Sequence, residues 1–91
     1  MDDAVGLRVT VHGHVQGVWY RDWAVESARA LDLTGWVRNQ DDGTVAALLQ
    51  GKACAVRQMI ARMHDGPPKA RVELISEQAS EAEPLSGFQR R

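Results

Sequence analysis

The sequence predicts an α/β (α+β) domain of the order β-α-β-β-α-β with a short fifth strand. Two helices are expected on one face of an antiparallel sheet. Three observations lead there. The apolar period switches repeatedly between two and 3.6 residues. Glycine, proline and aspartate clusters punctuate most of the switches. A chain of 91 residues holds one small domain and no second. The expected domain is therefore 1–91, with residues 1–6, "MDDAVG", as a flexible acidic tail.

Residues 7–12, "LRVTVH", alternate, with Leu7, Val9 and Val11 facing one way and Arg8, Thr10 and His12 the other, which is the pattern of a half-buried strand. From 22 to 31 the period lengthens. Ala24, Ala28 and Leu31 then form a helical apolar stripe, with Asp22 in the first turn where the macrodipole favours an acid. "TGWVRN", 34–39, reads as a second strand, "QDDG" as a turn and "TVAALLQG" as a third strand. Together they form a hairpin with Val45, Ala47 and Leu49 inward. Residues 53–64 return to helical spacing through Val56, Ile60 and Met63, until "DGPP" stops them. A fourth strand follows over 70–77. Val72 and Leu74 fit simple alternation there, which leaves Ile75 on the wrong face unless a bulge intervenes. An acidic linker, 77–86, leads to "GFQRR", where Phe88 anchors a short last strand. Right-handed crossovers place the first and third strands at the centre. The architecture is a ferredoxin-like sandwich.

Composition narrows the function classes. Apolar residues make up 44% and charged residues 25%, ordinary values for a soluble globular chain. A net charge of −1 argues against a nucleic-acid coat. The longest apolar run, Val45–Leu49, is far too short to span a membrane. The opening residues lack the pattern of a signal peptide. One cysteine, Cys54, excludes an internal disulfide, so a cytoplasmic location is expected.

The stretch "VHGHVQGVWYR", 11–21, joins the first strand to the first helix. Gly13 and Gly17 permit a curved backbone, the helix start presents free N–H groups, and Arg21 adds a planar fork suited to phosphate or carboxylate. Spacing alone leaves two readings open, an anion-binding loop and a plain strand-to-helix turn.

"GHVQGVWYR" followed by "GWVRN" resembles the acylphosphatase family, whose signatures have the form G-x-V-Q-G-V-x-[FY]-R and G-[FWY]-V-[RK]-N. Gly13, Val15, Gln16, Gly17, Val18, Tyr20 and Arg21 match the first. Gly35, Trp36, Val37, Arg38 and Asn39 match the second. Similarity continues through "DGTV", "GPP" and "SGF", from about residue 7 to 90. Tyr20 stands where Phe is commoner, and "VELISEQ" is less typical. The resemblance implies hydrolysis of the carboxyl–phosphate anhydride of acyl phosphates. It implies Arg21 as the phosphate-binding group, Asn39 as the holder of the attacking water, and the loop amides of His14, Val15, Gln16, Gly17 and Val18 as a phosphate cradle. The substrate is then a small-molecule acyl phosphate, with inorganic phosphate or a similar anion held by the loop. The chemistry suits this sparse equipment. A carboxylate leaving group, with a conjugate-acid pKa of about 4, departs without a proton. Phosphoryl transfer is mostly positioning and charge stabilisation. No cofactor or metal, nucleic acid or membrane is expected, and the reading is of a monomer.

Other residues carry plainer readings. Cys54 lies outside any thiol-phosphatase loop and reads as a small packing residue. His12 and His14 share a strand face, but two imidazoles without carboxylates or thiolates make a weak metal site. His64 sits in the last turn of its helix, where a cation is mildly favoured. Trp36 reads as packing, and Trp19 as a candidate wall for the acyl group. Arg38 reads as structural or as a source of positive potential, and Arg90 and Arg91 as solvated charges. Two competitors stand beside the enzyme: a non-catalytic anion-binding module, and a relative of the acylphosphatase-like domain of large carbamoyl-transfer maturation proteins. Retention of Asn39 weighs against the first and chain length against the second.

Overall fold

The structure, a computed structural model, describes residues 4–91 of the chain. Its elements are β1 (Ala4–His14), α1 (Tyr20–Ala30), β2 (Thr34–Asn39), β3 (Val45–Lys52), α2 (Ala53–Asp65), β4 (Arg71–Ala79) and β5 (Phe88–Arg90). They form one five-stranded sheet in the order β4-β1-β3-β2-β5. β1 and β2 each pair antiparallel with β3, so they run parallel to one another. The four strands of the β-α-β-β-α-β order pair antiparallel as expected, and the short β5 adds to β2 in parallel, which makes the five-stranded sheet mixed. The C-terminal ends of β1, β2 and β5 therefore lie at the same end of the sheet.

The core lies between the helices and one sheet face. Val9, Val11, Val37, Val45, Ala47 and Leu49 meet Ala24 and Ala28 of α1 and Val56, Met59 and Met63 of α2, all fully buried. Alanines on the inner stripe of α1 let its backbone lie close to the sheet. The helix ends where Asp32 turns left-handed, at φ 58°, and the Leu33 amide reaches back to Ala28 O at 3.0 Å. α2 ends at Gly66, also left-handed at φ 66°, whose amide donates to Arg62 O, and Pro67 follows. The Tyr20 hydroxyl is buried and donates to Met63 O at 2.8 Å, tying the first residue of α1 to the end of α2. Burial raises its pKa well above the ordinary phenol value. Among the described residues no helix is long and apolar enough to cross a membrane.

The expected bulge exists. His12 pairs with Leu74, but Gly13 pairs with Val72, so Glu73 is the extra residue on β4. Val72 and Ile75 thus both turn towards the core, while Leu74 is 57% exposed on the other face. Gly13 makes this possible: its φ is 132°, and a Cβ there would lie 2.1 Å from Arg71 O.

Three expectations need correction. Ala4, Val5 and Gly6 are not a tail but the start of β1, paired with Lys52, Gly51 and Gln50; residues 1–3 of that tail lie outside the described residues. The linker is shorter than expected, because β4 continues to Ala79. The segment after it crosses the open face of the sheet. Ser80 donates to Gly6 O, the Gln50 amide bonds both the N–H and the C=O of Glu83, and Leu85 packs on Trp36. Finally, Cys54 is exposed and does not pack in the core. It precedes Val56 by two residues, which turns it about 200° away from the buried stripe of α2.

Candidate active site

Strand direction assembles the site. The loop after β1, the end of β2 and the end of β5 meet at one end of the sheet, beside the N-terminus of α1. A pocket of about 250 Å³ opens there. Val15 and Gly17 supply its loop side, Tyr20, Arg21 and Asp22 its helix side, and Asn39 and Arg90 its strand side, with Trp19 at the junction of loop and helix.

The loop owes its shape to two left-handed residues, Gly17 at φ 72° and Trp19 at φ 69°. Glycine adopts this backbone without cost. For tryptophan it is strained, by roughly 1–3 kcal/mol, and such strain gathers at functional sites. Trp19 precedes α1 without any side-chain cap and stands 78% exposed. Among the described residues, no backbone carbonyl outside the regular elements accepts a hydrogen bond from the amides of Val15, Gln16, Gly17 or Val18. Those groups, with the first amides of α1, form a region of unpaired donors reinforced by the helix dipole.

The loop is held in register by the Gln16 side chain. Its amide nitrogen donates to Gln40 O at 2.8 Å and to Thr44 O at 2.9 Å. Both carbonyls belong to the turn that immediately follows Asn39. That turn is itself braced, since Asp42 accepts from the backbone N–H and hydroxyl of Thr44. These two bonds hold the Asp42 carboxyl below the usual carboxylate range, the side-chain bond more than the backbone one. Gln16 thus links the loop bearing Gly17 to the strand end bearing Asn39.

Arg21 is the second residue of α1, and its guanidinium donates to the backbone oxygen of Arg91 at 2.9 Å. Asn39 is exposed at the end of β2, on the same side as the buried Val37. This is the helix-bearing side, as strand alternation requires. Arg90 pairs with Asp22 at 3.0 Å across the rim, with both side chains about half exposed. Such a pair adds little stability and serves mainly to fix positions.

Of the residues singled out in the sequence, the pocket collects Val15, Gly17, Arg21 and Asn39. His14 ends β1 opposite Arg71, the Val18 side chain is buried in the core, and the Gln16 side chain is committed to the turn. Arg90 and Arg91 are not merely solvated, contrary to expectation. β5 runs parallel to β2 and delivers both to the site, Arg90 through Asp22 and Arg91 through its oxygen on Arg21. The tail "GFQRR" signals a strand but not its pairing partner. Among the described residues no group of three or more His, Cys, Asp or Glu is placed to hold a metal ion.

Comparison with known proteins identifies the family. A family model described as Acylphosphatase matches residues 7–90. An acylphosphatase of Rhodospirillum rubrum is 55% identical over 67 residues, 74% of either chain. One from Acidovorax is 49% identical over 88 residues, covering 97% of this chain and 91% of the relative. The solved structure of an acylphosphatase from Coxiella burnetii superposes with a TM-score of 0.94 at 32% identity, over 98% of this chain and 94% of that one. A strand-end pocket with an arginine, an asparagine and a glycine-shaped amide loop, within a chain this similar to those enzymes from end to end, places the protein in the acylphosphatase family, which hydrolyses acyl phosphates.

Proposed function

We propose that the phosphoryl group of the substrate is held between the Arg21 guanidinium and the loop amides from His14 to Val18, with those of Val15 and Gly17 lining the pocket itself. Asn39 holds the attacking water opposite the leaving carboxylate. The observation that carries this reading is that Arg21 and Asn39, eighteen residues apart in the chain, line one pocket beside the loop. Arginine offers a bidentate, permanently charged fork to the phosphoryl oxygens. The amide donors are fixed before substrate arrives, so they stabilise charge in the transition state without reorganising. The Asn39 amide has an acceptor and a donor and orients a neutral water.

In the proposed step the water oxygen forms a bond to phosphorus in line with the departing carboxylate oxygen, and the phosphorus–carboxylate bond breaks. The water proton passes to a phosphoryl oxygen of the substrate itself. The carboxylate takes the bond electrons and needs no proton, because its conjugate acid has a pKa of only about 4. Trp19, exposed at the pocket rim, forms a wall for the acyl group. The enzyme in this reading is monomeric, metal-independent and cytoplasmic. The described residues offer no cluster of three or more His, Cys, Asp or Glu that could hold a metal ion.

Benzoyl phosphate turnover, followed by ultraviolet absorbance, tests the division of labour. In Asn39→Ala, kcat should fall roughly 100-fold or more, the loss of one strong transition-state hydrogen bond, while the orthophosphate inhibition constant stays within a few-fold. Equal losses in both would make Asn39 a shaper of the pocket, and unchanged turnover would remove it from the mechanism.

A further inference from the structure

The sheet face turned away from the helices carries a cluster of side chains that do not line the pocket. Arg8, Arg38 and Arg91 each place a guanidinium over the same indole, that of Trp36, at 5.3, 4.8 and 5.1 Å from its centroid. The register explains the convergence. Arg8 stands opposite Leu48, and Leu48 opposite Trp36. Arg38 is the next residue of β2 on the same face. Arg91 is brought alongside by its amide, which donates to Val37 O at 2.8 Å.

A shared aromatic ring offsets part of the repulsion between these cations and neutralises none of their charge. Among the described residues no carboxylate lies within ion-pairing distance of any of the three, whereas Arg57 and Arg90 are paired with Glu77 and Asp22. Arg8 and Arg91 are exposed and Arg38 is partly so. The chain as a whole carries −1, so the concentration of charge does not follow from a basic composition. Beneath the cluster, the buried Trp36 indole N–H has no hydrogen-bond acceptor among the described residues.

We propose that this cluster is a binding site for a short polyphosphate, a linear anion of two or three phosphate groups taken one to each guanidinium. Arginine forks match phosphate oxygens in bidentate geometry, and adjacent forks favour adjacent phosphates over a single one. A long polyanion is disfavoured. Glu83, in the linker, is tied to Gln50 at one end of this face, and Asp41 and Asp42 follow Arg38 closely in the turn after β2 at the other. A nucleotide base finds no stacking surface here, because Trp36 is only 3% exposed. The phosphate chain is therefore the recognised part.

The test is a titration of the full chain with tripolyphosphate, followed by the indole N–H resonance of Trp36, identified with Trp36→Phe. The resonance should shift and saturate, at a Kd at least ten-fold below that for orthophosphate. ATP should bind within a few-fold of tripolyphosphate. The double variant Arg8→Gln/Arg38→Gln should lose the response and at least ten-fold in affinity, while its turnover and orthophosphate inhibition constant stay within two-fold of wild type. A Trp36 resonance that does not move, or one that moves equally in the double variant, would overturn the site. ATP binding ten-fold tighter than tripolyphosphate would overturn the identity of the recognised group. Loss of turnover in the folded double variant would return the cluster to the hydrolytic site.

Discussion

Replacing Gln16 by methionine removes an amide while nearly keeping the volume of the side chain. Two hydrogen bonds are lost, to Gln40 O and Thr44 O. Neither carbonyl is orphaned, because Gln40 O still accepts from Gly43 N and Thr44 O from Gln40 N. The cost is then the net worth of two ordinary bonds, about 2 kcal/mol, without a penalty for buried unpaired acceptors. In a domain of this size that corresponds to a fall in Tm of roughly 8–16 °C. The catalytic effect is separate. Those bonds set the distance between the Gly17 loop and Asn39, and small misplacement of reacting groups is costly, so kcat should fall by roughly 10- to 100-fold at a temperature where the variant is fully folded. Thermal unfolding by circular dichroism and benzoyl phosphate turnover on one preparation measure both. Gln16→Glu should be worse on each count, because a carboxylate would face two carbonyl oxygens with nothing to donate. An unchanged kcat in Gln16→Met despite the expected loss of Tm would refute the argument, since the brace would then stabilise the fold without positioning the site.

Arg21→Lys should bind orthophosphate weakly and turn over little more than Arg21→Ala, since a point charge does not reproduce the fork; near wild-type turnover in folded Arg21→Ala would show that the phosphate site is misassigned. Turnover should survive EDTA treatment and dialysis, and activity lost with EDTA and restored by a divalent ion would turn attention to His12 and His14. Trp19→Gly relieves a left-handed tryptophan, so Tm should not fall, while KM for benzoyl phosphate rises about three- to ten-fold and that for acetyl phosphate stays unchanged. A parallel change with both substrates would remove Trp19 as an acyl wall.

The strands and helices were legible because their apolar periods are clean. Even the bulge in β4 could be read from the conflict between Leu74 and Ile75. The resemblance of two short motifs points to Arg21 and Asn39, and alternation from Val37 puts Asn39 on the helix-bearing side, where the pocket opens. What stayed hidden depends on pairing between distant segments. "FQR" has too few residues to reveal that it joins β2 in parallel, so the placement of Arg90 and Arg91 at the pocket was lost with it. Gln16 looks like any loop amide until its acceptors, 24 and 28 residues away, are folded against it. The gathering of Arg8, Arg38 and Arg91 on Trp36 likewise needs the register of four strands. Cys54 reads as packing by residue type, but it stands about 200° from the buried Val56 around α2 and faces outward.

The three-residue β5 has a consequence for how the enzyme breathes. It is held by a single flanking strand and anchored by Phe88, with the Arg29 guanidinium on Phe88 O at 3.1 Å. An edge element this short opens at far lower free energy than the sheet centre. When its end, Arg90 and Arg91, lifts while Phe88 stays buried in the core, Arg21 loses its backbone brace and Asp22 its partner. Amide exchange at Arg90 and Arg91 should therefore be fast in the resting protein and, on the proposed role of Arg21, slow when orthophosphate is bound, because an anion held by Arg21 would draw the strand end closed. On heating, activity should fade before near-ultraviolet circular dichroism does, as fraying of this edge precedes cooperative unfolding.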